Sequence, residues 1–224
     1  MNKRIRLQDR SLPVYSRGEE IMNMVTHIVG GSFGIFVLLL CIFTSLRNHS
    51  PAGVIGSAIY GFSMITVYTI SSVYHGLHPS TGKKVLQILD HCAIYFLICG
   101  SYTPILLSRF IPAFPAIGWC MLAAEWGIAA LAITLTAIDL KKYTVFSMIC
   151  YITLGWGIIF FIPQIISVMT HNGFILLLSG GIVYSLGAVL YGIGSKIRWM
   201  HSVFHIFVLF GSLLHFLAIL LYAL

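Results

Sequence analysis

Apolar residues occur in long runs along the whole chain, and only short polar or charged segments interrupt them. A run of roughly 20 apolar residues is the length that an α-helix needs to cross the hydrocarbon core of a bilayer. The pattern predicts seven such helices, at Met22–Leu46, Ala52–Tyr74, Val85–Ser108, Ala113–Ile138, Tyr143–Ile162, Phe174–Ile193 and Trp199–Ala223. We therefore predict an all-α integral membrane protein that forms a seven-transmembrane-helix bundle.

The composition supports this class of protein. Hydrophobic residues make up 58% of the 224 positions and charged residues 8%, whereas a soluble domain carries about 25% charged residues. No room remains for a separate soluble domain, so we divide the chain into a basic cytoplasmic segment, residues 1–20, and one transmembrane domain, residues 21–224. The five cysteines all lie in apolar runs without a metal-type spacing, and we interpret them as reduced thiols.

The formal net charge of +7 comes from basic residues in the segments between the apolar runs. Two of them, Arg47 and Arg109, fall on the side opposite to the N-terminus. The other eleven share the side of the N-terminus: Lys3, Arg4, Arg6, Arg10, Arg17, Lys83, Lys84, Lys141, Lys142, Lys196 and Arg198. This bias predicts a cytoplasmic N-terminus and an outside C-terminus in the cell (inner or plasma) membrane. The charge indicates orientation and contact with anionic lipid, and we expect no nucleic-acid partner.

Histidines and acids gather at the cytoplasmic end of the predicted bundle. His201 and His205 are four residues apart at the start of the last helix, so their rings lie one turn apart on one face. His75 ends the second helix and Asp90 lies near the start of the third. Ionisable side chains within a membrane are costly, and they are therefore candidates for function.

His75, His201 and His205 are the residues that we predict to bind a zinc ion. Three protein nitrogens leave the fourth tetrahedral position for water, which is the pattern of catalytic zinc. Asp90 is suited to act on that water as general base and later as proton donor. Ser71, one turn before His75, can steady the water or a developing oxyanion. In the alternative interpretation these residues are interhelical hydrogen-bonding groups, but their type and common position favour the metal.

Asn23 and His27 form a second polar pair at the start of the first helix, four residues apart. They can form a second layer that orients a metal ligand. They can equally form a hydrogen-bonded cluster where the helix enters the membrane. The spacing alone leaves both interpretations open.

Three further ionisable residues are weaker candidates. His91 adjoins Asp90 but points about 100° away around the helix, so the two do not easily face one ion. His215 lies roughly 15 Å deeper than His205 by helical rise, and we expect it to be an interhelical hydrogen-bond partner. Glu125, near the middle of a predicted helix, is either a proton-handling group or paired with a polar neighbour, and the sequence does not decide.

The order and spacing of these polar motifs resemble the haemolysin III branch of the progestin and adipoQ receptor family, which is related to alkaline ceramidases. The resemblance covers nearly the whole chain. Its motifs are Glu20-x2-Asn23-x2-Thr26-His27, Ser71-x3-His75, Leu89-Asp90-His91, Gly100-Ser101-Tyr102-Thr103-Pro104, Tyr151-x2-Leu154-Gly155-Trp156, Gly180-Gly181 with Tyr184, His201-x3-His205 and Gly211-x3-His215-Phe216.

The resemblance implies a seven-helix bundle with a cytoplasmic N-terminus. It also implies zinc bound by the residues matching His75, His201 and His205, with Ser71 and Asp90 near the metal-bound water. Eukaryotic members of the family are described as hormone receptors with ceramidase-type activity. The bacterial-type branch is named for haemolysis and is linked to membrane-fluidity homeostasis.

Three classes of function follow. The first, which we favour, is a zinc-dependent hydrolase that cleaves an amide or ester bond of a membrane lipid. The second is a receptor-like sensor of membrane state, in which zinc is structural. The third is a haemolysin-type cytolytic protein, which is physically the poorest, because a pore needs a continuous polar lining and the polar groups here gather at one end.

Overall fold

The computed structural model describes residues 7–194 and 196–224, and these are helical with short connections and no strand. Three basic residues in the charge count, Lys3, Arg4 and Arg6, lie outside the described residues. The principal helices are α1 (Arg17–Arg47), α2 (Pro51–Gly76), α3 (Thr81–Ile105), α4 (Pro115–Ile138), α5 (Thr144–Trp156), α6 (Ile162–Gly194) and α7 (Met200–Tyr222).

Within the described ranges, six helical stretches are long and apolar enough to cross a membrane. This finding confirms an all-α membrane protein. One stretch combines α3 with the π-helical turn Leu106–Phe110 and a short turn up to Ala113. Another runs for 51 residues, Thr144–Gly194, and contains both the fifth and the sixth predicted helices.

The boundary between those two helices differs from the prediction. The predicted loop 163–173 is helical, apart from Thr170, whose φ of 65° and ψ of 168° lie outside the helical region. A 3-10 turn, Gly157–Phe161, leads into α6. Pro163 is the second residue of α6, and proline is accepted in the first helical turn because the amide hydrogen that it lacks would have no helical partner there. The proline therefore begins a helix where the sequence suggested a loop.

The start of α1 is fixed by a capping box, five residues before the predicted start of the helix. The Ser16 hydroxyl accepts a hydrogen bond from the Glu19 backbone amide, and the Glu19 carboxylate accepts one from the Ser16 amide at 2.8 Å. These bonds satisfy amide groups that the first turn of a helix leaves without partners. The polar residues Glu20, Asn23 and His27 consequently all lie on a helix.

Hydroxyl groups from three helices meet at Ser212 in the bundle interior. The hydroxyls of Tyr68 in α2 and Tyr184 in α6 lie 2.6 Å and 2.7 Å from the Ser212 Oγ of α7. The hydroxyl of Tyr60, also in α2, donates to the Ser212 carbonyl at 3.3 Å. Buried tyrosines normally satisfy their hydroxyls in this way. The cluster places α7 between α2 and α6 and so brings His201 and His205 next to the end of α2.

Near Tyr68, the closest contact between α1 and α2 is at Gly30. A methyl group at Gly30 would overlap the Tyr68 ring, which is fully buried and hydrogen-bonded to Ser212, whereas one at Gly31 would meet no atom closer than 3.8 Å. We therefore expect Gly30→Ala to lower the free energy of unfolding by about 1–3 kcal/mol through overpacking. Gly31→Ala is the matched control and should leave thermal unfolding in detergent nearly unchanged. Equal melting temperatures for the two variants would contradict this packing.

Candidate metal centre

The structure brings His75, His201 and His205 together at one end of the bundle. Each offers a ligand nitrogen within 4.8 Å of the others, and the residues are only 2%, 8% and 1% exposed. The Nε2 atoms of His201 and His205 are 3.1 Å apart. These three buried histidines, the trio from here on, come from the end of α2 and the first two turns of α7.

The nitrogen atoms of the trio fit a metal ion. His75 Nε2 and His205 Nδ1 are buried without a hydrogen-bond partner in the described part of the chain. A buried polar atom without a partner costs free energy, so such atoms call for an explanation such as an ion or water. Three converging imidazoles, two of which have a nitrogen without a hydrogen-bond partner, match the ligand type that zinc prefers. The trio can therefore hold a metal ion.

Glu20 connects the trio to the beginning of α3. Its Oε2 lies 2.6 Å from His75 Nδ1, and its Oε1 accepts a hydrogen bond from Lys83 Nζ at 2.6 Å. Lys83 Nζ also donates to the carbonyl of Leu77, immediately after α2. Glu20 was not among the residues predicted for the site. The spacing of Glu20 could have indicated such a role. Asn23 follows Glu20 by three residues and His27 follows Asn23 by four, so all three lie on one helix face.

Asn23 and His27 also contact the trio. Asn23 is fully buried, and its Nδ2 lies 3.4 Å from His75 Nδ1. The His27 ring stacks on the His205 ring, with centroids 3.8 Å apart and an angle of 19° between the planes. It also meets the Tyr68 ring edge-on at 5.0 Å. Both residues therefore touch predicted metal ligands, and their orienting role stays a prediction.

A cavity of about 160 Å³ in the bundle is lined by His205 of the trio. Ser71, Asp90, His27 and His205 line one part of it, and the remaining lining is mainly apolar. This volume is roughly ten times the space that one water needs. No hydrogen bond joins Ser71 or Asp90 directly to the trio among the described residues, and both side chains line the cavity that His205 also lines.

The weaker candidates lie outside the trio. Both ring nitrogens of His91 have partners, the Gln87 carbonyl at 2.8 Å and the Tyr191 hydroxyl at 3.0 Å, so this ring is not available as a ligand. His215 packs tightly against Gly180 on α6, and its ring meets Tyr184 edge-on. Glu125, which the sequence left undecided, is buried in α4.

The carboxylate of Glu125 lies beside the thiol of Cys99, 4.0 Å away. Both residues are buried, on α4 and α3 respectively. The contact makes Glu125 part of a separate polar pair, distinct from the trio.

The segment before α1 covers the trio, a contact that was not predicted from the sequence. The Tyr15 ring stacks on His201 with centroids 5.0 Å apart and lies 5.7 Å from His75. Burial raises the pKa of the Tyr15 phenol, so the ring is neutral. Arg10, in the same segment, forms an ion pair with Asp139 at 3.5 Å. No periodic pattern marks such an irregular segment.

The helical architecture and the trio define a polytopic membrane protein with a candidate metal centre. The family model described as Haemolysin-III related matches residues 15–216, and the chain belongs to this family. The resemblance noted from the motifs is thus confirmed.

Curated relatives cover most of the chain. Hemolysin-3 of Bacillus cereus is 37% identical over 206 residues, which are 92% of this chain and 92% of that protein. The Hemolysin-3 homolog of Bacillus subtilis is 34% identical over 204 residues, 91% of this chain and 94% of that protein. The human Monocyte to macrophage differentiation factor is 29% identical over 171 residues, 72% of this chain and 67% of that protein.

Proposed function

We propose that this protein is a zinc-dependent hydrolase that cleaves an amide or ester bond of a membrane lipid. The observation that carries the proposal is the trio, which shares its end of the bundle with a largely apolar cavity lined by Ser71 and Asp90. Ligand nitrogens, a carboxylate, a hydroxyl and an apolar cavity are the parts that hydrolysis of a lipid requires.

Each residue then has a definite task. When bound, a zinc ion supplies the Lewis acidity that makes water a stronger nucleophile. The Asp90 carboxylate accepts a proton from the attacking water and returns it to the leaving nitrogen or oxygen. The Ser71 hydroxyl donates a hydrogen bond to the oxygen on which negative charge develops. His27 stacks on the ring of His205 and Asn23 packs beside the ring of His75, and both contacts limit the movement of these rings.

The lipid reaches the site from the membrane. Val67, Leu97 and Val208 line the cavity beyond the polar end, which suits an acyl chain. Tyr15 covers the trio from the side of the N-terminal segment. A lipid that enters between helices can therefore place its polar linkage next to His205 while its chain stays in apolar surroundings.

We further propose that the chain crosses the membrane seven times. The stretch Thr144–Gly194 would extend over roughly 75 Å as one straight helix, more than twice the roughly 30 Å of a bilayer core. Tyr151 donates to the carbonyl of His91 at 2.7 Å, and the Tyr191 hydroxyl lies 3.0 Å from the ring of the same histidine. Tyr151 and Tyr191, which are far apart in this stretch, therefore both lie at the level of His91. The chain therefore runs outward, turns near Thr170 and returns.

The same proposal includes the orientation in the cell membrane. Among the described residues, Arg10, Lys83 and Arg198 lie at the end of the bundle that holds the trio, where they pair with Asp139, Glu20 and Glu19. Basic residues mark the cytoplasmic side. We therefore place the trio just inside the inner leaflet, with the N-terminus in the cytoplasm.

Metal analysis and a lipid assay test the proposed function. Protein purified without chelator and reconstituted into nanodiscs should contain about one zinc ion per chain, because three histidines complete one site. It should hydrolyse a ceramide or a matched ester lipid, and treatment with a chelator should remove both metal and turnover. Stoichiometric zinc without turnover of either lipid would favour the structural-zinc sensor. Absence of metal would overturn the centre itself.

Access to the trio from the cytoplasmic side should depend on the segment that Tyr15 and Arg10 hold in place. We expect Arg10→Gln to speed zinc loss to a soluble chelator roughly tenfold, which corresponds to about 1.4 kcal/mol in the opening equilibrium. Tyr15→Ala should act in the same direction, because it removes the covering ring. Arg17→Gln, which changes an exposed arginine of the same region, is the control and should lose zinc at the wild-type rate. Identical rates for all variants would contradict a covering role.

A further inference from the structure

Glu20 is placed to control the chemistry of His75 although it is not itself available as a ligand. Both of its oxygens are occupied, one by the His75 ring and one by the Lys83 ammonium, each at 2.6 Å. A contact as short as this between an imidazole nitrogen and a carboxylate is typical of a charge-assisted hydrogen bond. The His75 side chain has no exposed surface, and the Glu20 side chain is 21% exposed, so the contact is largely shielded from solvent on the His75 side.

The contact determines which nitrogen of His75 is free. A carboxylate accepts hydrogen bonds and does not donate them, so the His75 proton resides on Nδ1. The lone pair is then on Nε2, which is buried and has no hydrogen-bond partner in the described residues. Metal-binding histidines commonly donate their second nitrogen to a carboxylate in this manner, which fixes the tautomer and raises the basicity of the ligand nitrogen.

We propose that Glu20 is a positioning residue of the metal centre, which holds the Nδ1 proton of His75 and directs the Nε2 lone pair to the ion. This inference rests on the metal binding included in the proposed function. Glu20 also adds a negative charge one side chain away from a dication whose three ligands are neutral. That charge, although shared with Lys83, offsets part of the cost of burying the ion.

A purely structural role is the competing explanation. The chain of contacts from His75 through Glu20 to Lys83 ties the end of α2 and the start of α1 to the start of α3. Such a tie would stabilise the helices whether or not a metal is present. Lys83 separates the two roles. Its ammonium group takes part in the contacts that join the helices, but it bonds to Glu20 and to the Leu77 carbonyl and to no histidine among the described residues.

The experiment compares metal affinity with stability in four forms of the full chain in detergent or nanodiscs. The forms are wild type, Glu20→Gln, Lys83→Met and Glu19→Gln. Zinc affinity is measured by competition with a fluorescent chelator, and cobalt substitution reports ligand geometry through its visible absorption. Glu19 is the matched control because this neighbouring carboxylate bonds to Ser16 and to the Trp199 amide and forms no hydrogen bond to a histidine among the described residues.

Glu20→Gln keeps a hydrogen-bond acceptor near His75 but removes the charge, so we expect zinc affinity to fall roughly 10- to 100-fold. The cobalt absorption bands should shift in the same variant. Glu19→Gln should match wild type, and Lys83→Met should melt earlier as metal-free protein while it binds zinc much more tightly than Glu20→Gln does. Equal zinc affinity in wild type and Glu20→Gln overturns the role of Glu20 alone, whereas a wild type that binds no metal overturns the metal centre and this role together.

Discussion

Replacing His205 by alanine is expected to abolish metal binding and, with it, lipid hydrolysis. His205 is 1% exposed and belongs to the trio through an Nε2 atom 3.1 Å from that of His201. Loss of a residue that only orients a ligand costs roughly 10- to 100-fold in metal affinity, so loss of the ligand itself should cost more than about 100-fold. Elemental analysis of the purified variant and a chelator competition titration measure this effect.

The control for this variant is His215→Ala. His215 lies on the same helix, is buried and packs closely against α6, so its removal also leaves a void in the bundle. Both variants should therefore lose stability, as large-to-small substitutions in a packed interior do. Only His205→Ala should lose zinc. If His205→Ala still bound one equivalent of zinc with wild-type affinity, the trio would not be the metal centre.

The helices could be predicted from the sequence because the bilayer imposes a length and a polarity on every crossing. Runs of apolar residues therefore located α1 to α4 and α7 within a few residues. The non-helical residue Thr170 falls within the predicted loop 163–173, but the other residues of that loop are helical. Proline and mild polarity are ambiguous signals, since a proline also fits the first turn of a helix. The local sequence does not determine which residue adopts the positive φ, because that choice depends on how α6 packs on α7.

The ligand candidates could be predicted for a related reason. His201 and His205 share a helix, so the spacing of four residues fixes their common face. His75 is far away in sequence, and only the shared end of the bundle linked it to them. The order and direction of the predicted helices are enough to group these three histidines, because they assign each residue to one end of the bundle.

The contacts around the trio could not be predicted in the same way. Glu20 precedes the predicted first helix, and the capping box at Ser16 extends α1 far enough to place its carboxylate against His75. The stacking of Tyr15 on His201 depends on an irregular segment, in which Arg10 also forms an ion pair with Asp139. Both contacts join residues distant in sequence through side-chain geometry. Periodicity carries no information about geometry of that kind.

The clustering of polar groups at one end also bears on the choice between hydrolase and sensor. A metal that only ties α2 to α7 needs the three histidines and the residues that orient them. It needs neither Asp90 nor Ser71, which line the cavity beside His205 and make no hydrogen bond to the trio in the part of the chain that the structure describes. These two residues are therefore the place where the requirements of a catalytic metal and of a structural metal differ. A variant that alters one of them and spares the ligands separates the two functions.

Asp90→Asn is that variant, and it should lose turnover while it keeps the metal. Asparagine has nearly the same shape as aspartate but cannot accept and return a proton, so the rate of lipid hydrolysis should fall by roughly 10²- to 10⁴-fold. Zinc content should stay at the wild-type level, and the loss should lie in kcat with little change in KM, because the lipid chain binds elsewhere in the cavity. Single-turnover kinetics with a ceramide and with its ester analogue measure the effect. Wild-type turnover in Asp90→Asn would exclude Asp90 as the general base, and with zinc retained it would require another proton acceptor among the residues that line the cavity.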